Sequence, residues 1–400
     1  MWIFHIGWQS YCLFVTWQNI FRLFLTFFTI SVLFTTLLYI FLLSLHPQLT
    51  VCRTMTSEFT ATILRWFSTN RRDLPWRETK DPYAIWLSEI ILQQTRIQQG
   101  QAYWERFMHR WPTVKDLAEA TEDEVLREWQ GLGYYSRARN LHTAAQQIVA
   151  NGEFPTTFDG LRKLKGVGDY TAAAIASIAF DQPTAVVDGN VYRVLARYFG
   201  IDTPINTTEG KKLFTALAQE QISGLPGESG ISGLYNQAMM DFGAIQCTPQ
   251  SPNCPSCPLA ETCDALHSQR INQLPVKLKK LKIRERHFCY YYIRLQENGS
   301  IRIAIRRRPS GDIWQGLWEP LMLEDCSELP DIRGTFTLLR QKVKHVLTHQ
   351  IIYADFYLID TTEKPQLPDS FIWIPESELS RYALPRLIER LIHDPEIYLA

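Results

Sequence analysis

Four cysteines crowd into one short stretch, Cys247, Cys254, Cys257 and Cys263, separated by six, two and five residues. Thiols this close cannot all pair as disulfides without strain, but they can surround one metal centre. Zinc and a 4Fe–4S cluster both accept four cysteine ligands. Zinc sites usually come as two close Cys-x2-Cys pairs, and here only Cys254 and Cys257 form one, so the spacing favours the cluster. No flavin or nicotinamide fingerprint accompanies it, which points to a structural centre. The remaining cysteines, Cys12, Cys52, Cys289 and Cys326, are scattered. One dense cluster suits a reducing compartment better than a disulfide scaffold does.

Two carboxylates stand where they could move protons. Glu89, in Trp86-Leu87-Ser88-Glu89-Ile90-Ile91-Leu92-Gln93-Gln94-Thr95, has almost only apolar neighbours in a helical segment. Desolvation raises a carboxyl pKa and lets it hold a proton near neutrality; on an exposed stripe the same residue would be inert. Asp188, in Val187-Asp188-Gly189-Asn190-Val191, precedes an apolar-periodic helix and alone reads as an N-cap. Upstream, in Leu164–Ala172, a helix ends, Gly166 and Gly168 make a tight hairpin, and Thr171 opens the next helix. Glycines admit a phosphate close to the backbone, and free amides at a helix start bind the anion. Any helix-turn-helix with a Gly-Val-Gly turn would look the same.

These groups need elements to hold them. From Met55 to about Ala265 helical periodicity runs almost without β-type alternation, broken at Pro112, Gly131/Gly133, Pro155 and Pro183, so 55–265 reads as all-α. Residues 266–286 read as a basic, mobile tether, carrying Arg270, Lys277, Lys279, Lys280, Lys282, Arg284 and Arg286 against the single acid Glu285. Residues 287–400 read as an α+β domain, with strand-like runs at His287–Leu295, Ile301–Ile305 and Ile351–Ile359 and a closing helix at Pro385–His393. Formal net charge is zero over 400 residues, which gives no global bias toward nucleic acid; the positive charge is local. Residues 1–54 stand apart. Leu23–Leu45 carries no charge and has the length of a membrane helix, while an alternative start at Met55 would leave the extension untranslated. Membrane contact is expected only if the extension is real; otherwise the protein is cytoplasmic and nucleoid-associated.

Taken together the motifs resemble the helix-hairpin-helix DNA glycosylase superfamily. Trp-Leu-Ser-Glu…Gln-Gln-Thr, Gly131–Leu141 (Gly-Leu-Gly-Tyr-Tyr-Ser-Arg-Ala-Arg-Asn-Leu) and Asn236–Ala244 (Asn-Gln-Ala-Met-Met-Asp-Phe-Gly-Ala) resemble the MutY-type adenine glycosylases in particular. The resemblance implies two helical lobes, one with the hairpin and one with the iron–sulfur loop, followed by a MutT-like (Nudix-fold) domain. It implies a monofunctional, monomeric base-excision enzyme that cuts adenine mispaired with 8-oxoguanine or guanine in double-stranded DNA. Glu89 would protonate the adenine and Asp188 would stand beside the sugar, with Tyr170 and Asn190 lining the site. Gln94 and Tyr134 would wedge into the base stack, and Gly166, Gly168 and Thr171 would meet the backbone. Cys247, Cys254, Cys257 and Cys263 would hold a 4Fe–4S cluster.

Tyr170 stands where endonuclease III-like lyases of this superfamily carry a Schiff-base lysine, and a phenol cannot do that chemistry. Lys165 replaces a common proline of the hairpin. In the C-terminal segment, Arg307–Gly311, Trp314–Glu319, His345–His349 and Ala383–Pro385 carry the MutT-like resemblance. The lesion-reading loop of the family, usually Phe-Ser-His, is here Leu347-Thr348-His349, which keeps a hydroxyl and an imidazole but not the ring. The glutamate-dense box of nucleotide hydrolases is missing, so binding is the expected role. Two other readings compete: an endonuclease III-like glycosylase and lyase, and a non-catalytic iron–sulfur DNA-binding protein.

Overall fold

The computed structural model describes residues 47–392 apart from 226–228, 279–282, 298 and 326–328, with side chains from Glu58 onward. The candidate span at 23–45 lies outside the described residues, as do part of the basic stretch and His393. Among the described residues no helix is long and apolar enough to cross a membrane. The chain divides into two compact units between Thr62 and Ile63. Within the first, the described part is the start of the helix Pro47–Asn70. Everything below concerns the second unit.

Up to His267 the second unit is helical. The helix Pro82–Ile91 starts on Asp81, whose side chain accepts from the Tyr83 amide, with Pro82 at the first turn. Every residue from Tyr83 to Ile91 is buried, so this helix runs through the core and takes Glu89 with it. It packs on the helix Asp169–Phe180, whose alanines at 172–174 and 176 let the two approach closely. Around them Trp86, Phe107, Leu126 and Trp129 are fully buried and form the centre of the first lobe. The helices Gly189–Tyr198, Thr208–Ser223 and Ile231–Asp241 and the cysteine loop make the second lobe.

The C-terminal domain is a mixed seven-stranded sheet. Its strands are β1 (Arg284–Glu297), β2 (Ser300–Arg307), β3 (Trp318–Glu319), β4 (Leu321–Glu324), β5 (Thr335–Val346), β6 (Gln350–Thr361) and β7 (Phe371–Pro375). Along β3-β2-β1-β6-β5 only the β1–β6 pair is parallel; β4 pairs with β1 and β7 with β2. The helix Arg386–Ile392 covers one face through Leu387, Ile388 and Leu391. The expected α+β domain is therefore present, with the sheet more extensive than three strand-like runs suggest. β5 escapes periodicity because its register shifts twice, between Leu338 and Val343.

Two features position the domains. Leu317 and Ala383, from the C-terminal domain, are buried in the helical core; burial of a leucine is worth about 2 kcal/mol. Beside them Arg307 pairs with Glu122 at 2.7 Å and Asp123 at 3.1 Å, and Arg139 donates to the Gln315 carbonyl. The tether also departs from expectation. Its first part is fastened to the second lobe: Arg197 donates to the carbonyls of Ile271 and Leu274, Asn206 bonds Leu278 in both directions, and the Ile205 amide donates to the Val276 carbonyl. Positive charge in the sequence could not reveal these backbone acceptors.

Candidate active site

Glu89 and Asp188 line one cleft of about 200 Å³ between the lobes, together with Tyr170, Asn190, Arg77 and Met240. Glu89 is 9% exposed, and the Tyr170 hydroxyl donates to its Oε2 at 2.5 Å. Burial pushes the Glu89 carboxyl up to about 7; the Asp188 charge adds to this, while the Tyr170 hydrogen bond and Arg77 oppose it. Burial also lifts the Tyr170 phenol well above its ordinary value, helped by both carboxylates, so it stays a neutral donor.

Asp188 caps the helix Gly189–Tyr198. Its Oδ1 accepts from the Asn190 amide at 2.9 Å and the Val191 amide at 2.8 Å, and its Oδ2 accepts from Asn190 Nδ2 at 2.7 Å. Burial raises the Asp188 pKa, opposed by these hydrogen bonds to the charged form and by Arg193. The N-cap reading and the reactive reading thus describe the same geometry. The segment before Asp188 is held by buried Asn236, which accepts from the Val186 amide and donates to the Thr184 carbonyl and the Ser177 hydroxyl. Gly243 lets the next element approach: a Cβ there would lie 2.6 Å from Asn190 Cβ.

A cationic wall completes the cleft. Arg77 forks onto both oxygens of Asp241 at 2.8 Å, and Arg72 binds the same carboxylate. Burial would raise the fully buried Asp241, but hydrogen bonds from Arg77 and Arg72 hold it below its ordinary value.

At the hairpin, Gly166 takes φ +77°, and a Cβ there would meet the Asn140 side chain at 2.6 Å. Gly168 is the N-cap of Asp169–Phe180 and has open space beside it. The helix therefore opens at Asp169, two residues before the expected Thr171. Thr171 is 2% exposed, with its hydroxyl accepting from Gln93, so it faces the core instead of an incoming backbone.

Gln94 and Tyr134 are exposed, and both sit at positive φ, +57° and +47°. Left-handed backbone at a non-glycine residue is costly and persists where the surroundings enforce it. Tyr134 reaches across to the C-terminal domain, where its hydroxyl hydrogen-bonds Thr348. The two lie in a second cleft of about 490 Å³, shared by the helical and C-terminal domains and lined also by Arg139, Trp314, His345 and His349. Thr348 and His349 are exposed, whereas Leu347 packs on the C-terminal core. Of the carboxylates near this cleft, Asp312 and the buried Glu319 are bound by Arg286, Arg306 and Arg308.

Cys257 lies close enough to the other three cysteines for each to act on its thiol. Burial pushes the Cys257 thiol up to about 11, with Cys247, Cys263 and Cys254 adding to the rise. Arg197 Nη1 donates to Cys247 Sγ at 3.4 Å and to the Thr248 carbonyl at 2.7 Å. Arg193 binds the carbonyls of Cys247 and Gly243 and Asn190 Oδ1, joining the loop to the helix Gly189–Tyr198. Among the described residues no three His, Cys, Asp or Glu side chains converge tightly enough to hold one metal ion. Cys289, outside the loop, is in a disulfide.

Arg77, Asp241, Arg193, Arg197 and Arg137 were given no role by sequence reasoning. Asp241, Arg193 and Arg197 carried a readable signal, a charge on a helix whose neighbours are mostly apolar; Arg77 and Arg137 carried none.

The model of the HhH-GPD superfamily base excision DNA repair proteins matches residues 87–220, and a NUDIX domain model matches residues 290–394. An adenine DNA glycosylase of Arabidopsis thaliana is 37% identical over 64% of this chain and 46% of its own length. The Homo sapiens protein of that name is 43% identical over 54% and 40%. The chain thus spans less than half the length of these two relatives. One from Buchnera aphidicola subsp. Baizongia pistaciae (strain Bp) is 33% identical over 74% of this chain and 84% of its own. With that coverage at that identity, and both domain models matched in order, this chain belongs to the MutY-type adenine DNA glycosylase family.

Proposed function

We propose that this protein is a monofunctional base-excision glycosylase that hydrolyses the N-glycosidic bond of adenine mispaired with 8-oxoguanine or guanine. One observation carries the reading: a buried carboxyl, pushed up to about 7 by its burial, shares a cleft with a second carboxylate capping a helix. Glu89 keeps a proton close to neutrality and gives it to the purine, turning adenine into a better leaving group. Asp188 supplies the negative charge that an oxocarbenium-like sugar needs, held in place by Asn190 and the Val191 amide. Tyr170 orients the Glu89 carboxyl and offers no amine for a Schiff base, so strand cleavage is not part of the reaction. The base reaches this cleft only by leaving the duplex, and Gln94 and Tyr134 are placed to fill the gap.

Selection of the opposite base is assigned to the interdomain cleft, with Thr348 and His349 as the polar groups that meet 8-oxoguanine and Tyr134 beside them. Cys247, Cys254, Cys257 and Cys263 would hold a 4Fe–4S cluster. They offer four thiols, the ligand set that a cubane takes. Arg197 is already aimed at one sulfur. When bound, the cluster would fasten the loop to the catalytic helix.

The test is a duplex with one adenine opposite 8-oxoguanine. Strand breakage only after hot alkali supports the reading. Breakage without alkali would indicate a lyase, and no product a binding protein.

A further inference from the structure

Arg137 lies in the first turn of the helix Ser136–Asn151, yet its guanidinium is turned inward and binds five main-chain carbonyls. Nη1 donates to Ile90 at 2.8 Å, Ile91 at 3.2 Å and Gln93 at 2.6 Å. Nη2 donates to Leu132 and Gly133, each at 3.3 Å. The guanidinium also stands 5.0 Å from the Trp129 ring and 5.8 Å from the Tyr134 ring.

These acceptors are not a random set. Ile90 and Ile91 end the helix that carries Glu89, and helix ends leave carbonyls without partners. Gln93 precedes Gln94 and Gly133 precedes Tyr134, so one side chain grips the residue before each left-handed turn. The Trp129 indole adds a second bond to the Gly133 carbonyl at 3.0 Å. No other part of the described structure ties these two turns to a common charge so directly.

We propose that Arg137 is a positioning residue that locks the Gln94 and Tyr134 turns in one geometry, so that both wedges enter the base stack together. The proposal rests on the adenine-extrusion reading above. Burial brings the guanidinium down to about 10, so it remains charged at neutral pH and keeps its full set of donors. Lysine could keep the charge but not the fork that reaches both turns.

The experiment places 2-aminopurine, a fluorescent adenine analogue, at the target position opposite 8-oxoguanine and reads its unstacking on binding, which needs no bond cleavage. Arg137→Lys should lower the extruded fraction roughly tenfold, equivalent to about 1.4 kcal/mol, while low-salt binding to undamaged duplex and the melting temperature stay close to the parent. A variant with both Gln94→Ala and Tyr134→Ala sets the floor, and adding Arg137→Lys to it should change extrusion little. Undiminished extrusion in Arg137→Lys would overturn the proposal, as would a full tenfold further loss in the wedge-less background. A parent that gives no fluorescence rise would remove the extrusion reading itself, and this proposal with it.

Discussion

In the cleft around Glu89 the polar groups are buried or half-buried and set by the fold, whereas in the cleft around Tyr134 several of them stand exposed at the surface. Asp188 is fixed by the helix it caps, Glu89 by a buried phenol, and Arg77 by a buried carboxylate. Thr348 and His349 are exposed, and the cleft they line is shared by two domains. Under the proposed function, the chemistry site is thus preorganised within one helical region. The proposed reading site depends on how the C-terminal domain is held against that region. Substitutions in the first should alter rate on every substrate, and substitutions in the second should alter the ratio between substrates.

The largest effect should come from Asp188→Asn. Removing the charge proposed to face the sugar should slow single-turnover base release by roughly a thousandfold, in the range lost with a transition-state electrostatic partner, with DNA affinity near that of the parent. Equal loss of binding would show that Asp188 is only a cap. Changing both Thr348 and His349 to Ala comes next. It should cut discrimination between 8-oxoguanine and guanine by roughly ten- to a hundredfold, since each hydrogen bond is worth about 0.5–1.5 kcal/mol. A uniform loss on both mispairs would mean that the loop only holds DNA.

A stability measurement separates the clefts in another way. The Glu89 pKa is raised from 4.5 to about 7, so between those values the folded state keeps a proton that the unfolded state has released. Stability therefore falls as pH rises through that window, and the penalty is complete above 7. Glu89→Gln should remove it and stabilise the protein at pH 8 by on the order of 3 kcal/mol relative to pH 4, read from denaturant midpoints. No such pH-dependent gain would mean that Glu89 is better solvated than its surroundings indicate. The smallest effect is expected of Arg307→Ala. The ion pair with Glu122 and Asp123 is half-exposed, so its loss should cost less than about 1 kcal/mol, leaving Leu317 to hold the domains together. A large fall in mispair discrimination would instead make this pair part of the reading site.

What was legible in the sequence followed from periodicity and spacing. The apolar run at Tyr83–Ile91 singled out Glu89 but left an exposed stripe open as its place; the burial of every residue from Tyr83 to Ile91 removes that alternative. The glycines mark the hairpin, but the helix starts at Asp169, capped by Gly168, two residues before Thr171. The arginine contacts were not legible. Arg137 and Arg197 act mainly on backbone carbonyls, and a carbonyl acceptor has no sequence signature. β5 was hidden by its bulges, and the tether's attachment by the same carbonyl problem.

The central claim is that Glu89 delivers the proton and Asp188 the charge. The direct measurement is the single-turnover rate of adenine release against pH, for the parent and for Glu89→Gln, on one adenine opposite 8-oxoguanine. In the parent the rate should fall about tenfold per pH unit above 7, as the carboxyl loses its proton. In Glu89→Gln it should be roughly a hundredfold lower and lack that limb. A variant that keeps the parent's rate and its fall above 7 would contradict the account.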